Sequence, residues 1–262
     1  MSDTAPVSAE QIRRFRTEGV VKVDFVGVIG PALWERLKNA CAEVERSTPR
    51  PPGATRIGDS DLRFKVPEID AVARAPRVGE MARMLSGAAH MRIWLDAYEA
   101  LYPGFAGTSV HQDLPNYPMD RRGLLTVIVA LEDVTPEMGV NQFLPRSHRL
   151  GPLGCRAVYD PARSRDNPVR PREEFMELLR EDDREVVGEV ICQTQRAGEA
   201  VIHDGLIFHA SGLNRSDRPY RRVSFVYFPA DTRYTGLPYP STDGLGLKPF
   251  APLDHERFAL VA

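Results

Sequence analysis

Ala200-Val201-Ile202-His203-Asp204-Gly205-Leu206-Ile207-Phe208-His209 sets two apolar runs on either side of an Asp-Gly pair. Apolar runs joined by Asp-Gly predict a tight β-hairpin, with His209 on the outgoing strand or at its end. Outward from this stretch the same texture recurs from Met91 onward, as short β runs separated by glycine and proline. Met91 to Trp94, Ala97 to Leu101, Leu124 to Leu131, Val140 to Leu144, Val187 to Gln193, Ala200 to Ile202, Leu206 to His209 and Val223 to Phe228 each suit a strand of ordinary length. Many short strands with turn residues between them predict a mainly β chain folded as a double-sheet jelly roll.

Upstream the periodicity changes. Ser8 to Glu18 predicts a short helix capped by Ser8 and ended by Gly19, followed by the strand-like Val20 to Phe25. Pro31 opens a second helix with a stripe of Leu33, Leu37 and Ala40 to Val44, and Ala71 to Ser86 predicts a third. Between them Thr48-Pro49-Arg50-Pro51-Pro52-Gly53 breaks the chain. The expected organisation is one domain over residues 1–262: a helical part at about 1–90, a core at 91–230 and a C-terminal cover at 231–262. Pro152 to Asp183, with one helical patch at Glu173 to Arg180, and Arg233 to Pro252 are too long for simple turns and are expected to cover one end of the barrel.

Composition narrows the function. A chain of 262 residues with 42% hydrophobic and 27% charged residues is long enough for one well-buried core. A net charge of -2 gives no reason to expect nucleic acid or an acidic membrane as partner, which leaves small molecules. No apolar stretch reaches the ~18 residues of a membrane span and no basic-then-apolar leader opens the sequence, so a cytoplasmic protein is expected. Cys41, Cys155 and Cys192 are widely spaced, without CxxC spacing, and read as incidental thiols.

His111-Gln112-Asp113 is the stretch that carries chemistry. Two imidazoles and a carboxylate bind Fe(II) on one face of an octahedron and leave the opposite positions open. In a strand His111 and Asp113 point to the same side, so both reach one ion. The third ligand must come from a distant element, and His209 near the end of a later strand suits that requirement, with His203 as its competitor. Taken alone, His111 and Asp113 would read as a solvated turn before Leu114-Pro115. His148, between Ser147 and Arg149, reads as structural, and His90 and His255 as surface residues.

Several motifs in this order resemble the phytanoyl-CoA dioxygenase family of Fe(II)- and 2-oxoglutarate-dependent oxygenases. They are Tyr102-Pro103-Gly104 and Gly107-Thr108 leading into His111-Gln112-Asp113-Leu114-Pro115, then Ala130-Leu131-Glu132-Asp133-Val134-Thr135 and Gly139. Leu144-Pro145-Arg146-Ser147-His148-Arg149 follows, and then Gly198-Glu199-Ala200 through His209-Ala210-Ser211-Gly212-Leu213-Asn214-Arg215-Ser216. The resemblance runs from about Glu10 to Phe228. It implies a double-stranded β-helix core of cupin-like type, with iron held by His111, Asp113 and His209. It also implies 2-oxoglutarate and O₂ as co-substrates.

An arginine shortly after the distal histidine would bind the far carboxylate of 2-oxoglutarate, a planar bidentate contact that suits guanidinium. Alternation puts Arg221 on one face with Val223, Phe225 and Tyr227, and Arg222 on the other with Ser224 and Val226. The family pattern favours Arg221, with Arg222 as runner-up, and Ser211 is a further candidate for holding the carboxylate. Tyr98, Tyr102, Asn116, Tyr117 and Gln142 lie beside the motif strands and are candidates for substrate contact. The chain departs from the family at Arg146, where glycine is common, at Ile128, where tryptophan is frequent, and at Leu101, where lysine is frequent.

The expected activity is hydroxylation of an unactivated C–H bond of a small molecule, with succinate and CO₂ as co-products. A secondary metabolite is favoured over an acyl-CoA thioester, because Pro152 to Asp183 mixes charges without a concentrated basic patch. The intact carboxylate of Asp113 argues against halogenation, for which related enzymes carry a small residue there. Desaturation, epimerisation and cyclisation use the same oxidant and stay open. A metal-binding jelly roll without turnover would predict loss of a ligand or of the arginine, and metal-dependent hydrolysis would need a nearby general base.

Overall fold

The computed structural model describes residues 5–153 and 172–262. In chain order its elements are α1 (Ala9–Glu18), β1 (Val20–Asp24), α2 (Phe25–Ile29), α3 (Pro31–Ser47), β2 (Arg56–Ser60), α4 (Pro67–Ala73), α5 (Pro76–Ser86), β3 (Met91–Leu101), β4 (Thr108–His111), β5 (Leu125–Ala130), β6 (Asn141–Leu144), α6 (Arg172–Met176), α7 (Glu181–Arg184), β7 (Ile191–Cys192), β8 (Glu199–Asp204), β9 (Phe208–Ser211) and β10 (Tyr220–Pro229). The strands form a six-stranded sheet in the order β1-β8-β5-β10-β3-β2 and a four-stranded sheet in the order β4-β9-β6-β7. This is the double-stranded β-helix that the short strands predict.

The inner strands of the large sheet serve two layers. On β10 Val223, Phe225 and Tyr227 are fully buried in the core that α1 to α5 close over the outer face, together with Val127 and Val129 of β5 and Leu37, Val72, Val78 and Met81 of the helices. Arg222, Ser224 and Val226 alternate with them and face a cavity between the sheets, as do Thr126 and Ile128 of β5. Period-two alternation thus turns one strand into core on one side and cavity wall on the other.

The helices follow their caps. Ser8 and Gln11 form a reciprocal capping box at the start of α1, and Gly19 ends it at φ 81°. The third helix expected over Ala71 to Ser86 is two helices, because Pro76 starts α5 at its first turn and the chain breaks after Ala73. β3 is one strand of 11 residues and not two, with a register shift against β10 where Leu95 pairs Val226 and Ile93 pairs Tyr227. β2 arises from Arg56–Ser60, which gains ladder bonds to β3 at the sheet edge. The strand expected over Val187 to Gln193 contracts to Ile191–Cys192, and the helical patch expected over Glu173 to Arg180 contracts to α6, with α7 starting just beyond it.

Asp204-Gly205 is not a hairpin turn. β8 pairs with β1 and β5 in the large sheet, whereas β9 pairs with β4 and β6 in the small one. The pair is a corner between sheets: Asp204 Oδ1 accepts the Leu206 N–H at 2.8 Å, and the Gly205 N–H donates to Leu124 O at 2.9 Å. A Cβ on Gly205 would lie 2.5 Å from Leu124 Cδ2, so a side chain there would require Leu124 to shift.

Of the expected cover at Pro152 to Asp183, residues 154–171, which include Cys155, lie outside the described residues. Cys41 is buried and Cys192 exposed. No helix among the described residues is long and apolar enough to cross a membrane.

Candidate metal centre

β4 and β9 run antiparallel with His111 directly opposite His209, so two imidazoles from distant parts of the chain meet on one face of the small sheet. Their ring centroids are 4.1 Å apart. His111 Nδ1 lies 2.8 Å from Ser109 O and His209 Nδ1 lies 3.2 Å from Ile207 O. A carbonyl only accepts, so each Nδ1 carries the proton and each Nε2 presents its lone pair to the cavity.

Asp113 reaches the same point by a different route from the one alternation predicts. The strand ends at His111, and Asp113 has αR backbone angles (φ -74°, ψ -48°) at the start of a 3-10 turn over Leu114–Asn116. Its Oδ1 nevertheless lies 3.7 Å from His111 Nε2 and 3.5 Å from His209 Nε2, while its Oδ2 accepts the Thr126 hydroxyl at 2.7 Å. Gln112 anchors the turn from a fully buried position, donating to Gly151 O and Leu206 O and accepting from the Leu153 N–H. That tie between three segments explains the middle residue of the triplet.

Ligand atoms of His111, Asp113 and His209 all lie within 4.8 Å of one another, a cluster that could hold a metal ion. Burial pushes the Asp113 carboxyl up, but the three imidazoles and the Thr126 hydroxyl outweigh it and bring it down to about 2. Burial likewise drives His209 well below the usual histidine value. A carboxylate beside two imidazoles that turn Nε2 toward it is the donor set that fits a divalent transition ion. His203 is also fully buried on the cavity wall, with its Nε2 3.7 Å from Asp113 Oδ2 and its Nδ1 3.2 Å from Asp204 O. It faces the carboxylate oxygen turned away from the other two histidines.

The cavity holds about 220 Å³ and is walled by both sheets. Arg222 lines it, and Arg221 does not. Arg221 points to the helix layer, where Nε donates to Glu45 Oε2 at 2.6 Å and Nη1 to Glu132 Oε2 at 3.2 Å. The expectation for Arg221 is therefore corrected: it shares the face of the buried Val223, Phe225 and Tyr227, and that face is covered by α3. Ser211 shares the inward face of β9 with His209, but its hydroxyl accepts the Thr108 N–H at 3.0 Å and it is not part of the cavity wall.

Of the residues expected to meet substrate, only Tyr117 lines the cavity. Tyr98 and Tyr102 point to the helix layer and donate to the two oxygens of Glu45 at 2.6 and 2.7 Å. Asn116 donates to Gln112 O at 2.8 Å and braces the turn. Gln142 pairs with Ala210 and lies on the far side of β6 from Asn141, fully buried and without a hydrogen-bond partner for either amide atom among the described residues. Proximity in sequence to the motif strands placed these residues, and side-chain direction removes them. His148 has the structural role expected, donating from Nε2 to Arg16 O at 3.2 Å.

Sequence reading missed Glu99, Asn141 and Thr126, all on the cavity wall. Arg222 Nη1 donates to Asn141 Oδ1 at 3.0 Å, and Glu99 lies directly opposite Arg222 on β3. The alternation of β3 and β5 is the signal that finds Glu99 and Thr126 once the apolar face of each strand is assigned to the helices; Asn141 comes from β6 of the other sheet.

The family model described as phytanoyl-CoA dioxygenase (PhyH) matches residues 15–223. Among solved structures, the non-heme alpha ketoglutarate dependent carbocyclase SnoK from nogalamycin biosynthesis is similar with a TM-score of 0.75 and 24% identity, covering 100% of both chains. The epimerase SnoN, in complex with Fe3+, alpha ketoglutarate and nogalamycin RO, is similar with a TM-score of 0.72 and 23% identity, covering 97% of this chain and 98% of that one. EctD from S. alaskensis, with 2-oxoglutarate and 5-hydroxyectoine, gives 0.70 and 19%, covering 98% and 89%. No curated protein matches the chain.

Proposed function

The chain belongs to the phytanoyl-CoA dioxygenase family of Fe(II)- and 2-oxoglutarate-dependent oxygenases, and from that premise we propose that it hydroxylates an unactivated C–H bond of a small molecule. The observation that carries this reading is the convergence of His111 Nε2, His209 Nε2 and Asp113 Oδ1 in a cavity that also contains Arg222. His111, Asp113 and His209 would hold the iron. When bound, iron and 2-oxoglutarate supply an oxidant strong enough for such a bond, with succinate and CO₂ as co-products.

The chain's own residues then have separable tasks. Arg222, fixed by Asn141, would bind the far carboxylate of 2-oxoglutarate, where burial strengthens a charge-assisted contact. Thr126 holds Asp113 by its second oxygen and leaves the first for the ion. Tyr117 packs edge-on against Trp94 and Tyr239, with centroids 5.7 and 5.5 Å apart, and closes the cavity on the side of the C-terminal cover. A space of about 220 Å³ suits the cosubstrate and little more, so the substrate would contact the cavity from outside it.

A secondary metabolite is the favoured substrate, and the fold likeness to SnoN and SnoK gives that choice its support. Those two names also supply the second reading, in which the same oxidant closes a ring or inverts a centre. Anaerobic addition of Fe(II) and then 2-oxoglutarate should produce a weak visible absorption band, and air should then yield succinate. Absence of both ends the oxygenase reading. Product mass separates the outcomes: one oxygen gained for hydroxylation, two hydrogens lost for cyclisation or desaturation, no change for epimerisation.

A further inference from the structure

Two carboxylates line the cavity, and only Asp113 has a task in the reaction above. The other, Glu99, is on β3 directly across from Arg222 and holds the guanidinium assigned to the cosubstrate. Arg222 Nε donates to Glu99 Oε2 at 2.8 Å and Nη2 lies 2.7 Å from the same oxygen. Oε1 belongs to a second arginine: Arg56 Nε donates to it at 2.8 Å, with Nη2 at 2.6 Å. Glu99 and Arg222 are 14% and 12% exposed and Arg56 is 56% exposed, so the glutamate links a cavity cation to a surface cation. The two arginines outweigh burial and keep the Glu99 carboxyl below the usual range.

The space around this bridge is shaped for it. Gly58 of β2 is the residue paired with Glu99, and a Cβ there would lie 3.3 Å from Glu99 Cγ and 2.7 Å from the Tyr98 carbonyl oxygen. With no side chain at that position, Arg56 reaches past it from two residues away.

We propose that Glu99 is an internal competitor that sets the affinity for the dicarboxylate cosubstrate, and that Arg56 takes over its charge when the cosubstrate binds. The inference rests on the assignment of Arg222 to 2-oxoglutarate. Five N–H donors belong to one guanidinium. Glu99 blocks the edge made by Nε and Nη2, and Asn141 uses one hydrogen of Nη1. A second carboxylate on the remaining hydrogens would face Glu99 across a single cation. Two arginines and one glutamate leave one positive charge, which one further carboxylate neutralises. The arrangement is balanced only when the cosubstrate is bound, provided Glu99 can lean on Arg56.

Isothermal titration of Mn(II)-loaded protein with 2-oxoglutarate tests this without turnover. Glu99→Gln keeps the shape and removes the competing charge, so the Kd should fall about tenfold. Arg56→Ala leaves Glu99 wholly to Arg222, and the Kd should rise by about the same factor. In the double variant the Arg56 effect should vanish, because the charge it serves is gone. A weaker-binding Glu99→Gln variant, or an Arg56→Ala variant with the parent affinity, overturns the inference and makes Glu99 a prop for Arg222. A parent protein that takes no 2-oxoglutarate overturns the cosubstrate assignment and this inference together.

Discussion

Arg221 and Arg222 are adjacent in the chain and leave β10 in opposite directions, one to Glu45 in the helix layer at 2.6 Å and the other to Glu99 in the cavity at 2.7 Å. The same residue type therefore has two unrelated jobs. Arg221 bonds α3 to the large sheet, and Arg222 furnishes the buried positive charge of the cavity. A strand that alternates between a core face and a cavity face makes this division unavoidable.

Exchanging the two assignments by mutation gives a sharp contrast. Arg222→Ala should weaken 2-oxoglutarate binding by about two orders of magnitude, ~3 kcal/mol, as expected for truncating one side of a buried charge pair. Arg222→Lys should recover little, because an ammonium replaces a planar fork. Arg221→Ala should bind 2-oxoglutarate with the parent affinity and lose stability instead. Titrating the three variants against the metal-loaded protein settles which arginine serves the cavity.

That contrast also shows what the sequence makes legible. Short β runs identify the sheet architecture, and His111, Asp113 and His209 stand out because metal-ligand residues recur in a fixed order of motifs. Arg222 was readable as well: Val223, Phe225 and Tyr227 form the more apolar face of β10, which must go to the helix core and takes Arg221 with it. The Asp204-Gly205 corner was not readable, since a dipeptide specifies a tight turn but not whether the outgoing strand rejoins the same sheet. Glu99 pairs with Arg222 through a β3–β10 register set by a ladder of ten pairs and a register shift, neither visible in either segment alone.

Glu45 gathers Arg221, Tyr98 and Tyr102 around one carboxylate, which makes its contribution to stability dependent on pH. Burial raises its carboxyl, but the hydrogen bonds from Arg221 and the two tyrosines outweigh it, and the value lies below the usual 4.5. A depressed folded value means the contribution is complete above about 4.5 and is lost as the pH falls through that lower value. Glu45→Gln should lower stability by ~2 kcal/mol at neutral pH, the scale of hydrogen bonds to a charged group. Thermal unfolding of parent and variant should converge as the solution is acidified from above 4.5 down through the depressed Glu45 value.

Two glycines of the motif regions brace the strand that carries His209. Gly107 has φ 80°, and a Cβ there would lie 2.2 Å from Ser211 O; Gly139 has φ 71°, and its Cβ would lie 2.4 Å from Gly212 O. Both positions require a left-handed backbone and backbone-to-backbone approach, so no side chain can yield to relieve the overlap. Gly107→Ala should cost at least ~3 kcal/mol, and the unfolding midpoint should drop by roughly 6 °C or more. Gly244 also has positive φ but meets nothing within 4 Å, so Gly244→Ala should cost about 1 kcal/mol of backbone strain alone.

Thr126 gives the most direct measure of how the carboxylate is aimed. Its hydroxyl donates to Asp113 Oδ2 at 2.7 Å, and Oδ1 is the oxygen that faces both His111 Nε2 and His209 Nε2. Asp113 sits on a turn and not in a strand, and the Thr126 hydroxyl is the hydrogen bond that its carboxylate accepts. Thr126→Val keeps the volume and the β-branch and removes only the donor, which lets the carboxylate rotate. Metal affinity should fall by about tenfold, the lower end of the range for groups that orient a ligand. Thr126→Ser restores the hydroxyl and should return most of it, a recovery that a packing effect would not produce. His209→Ala should abolish binding of the ion outright, since it deletes one of three donor groups and leaves Asp113 without the ion's other anchor on β9. Competition titration with a chromophoric chelator resolves all three, and an unchanged affinity for Thr126→Val would show that the turn alone directs Asp113.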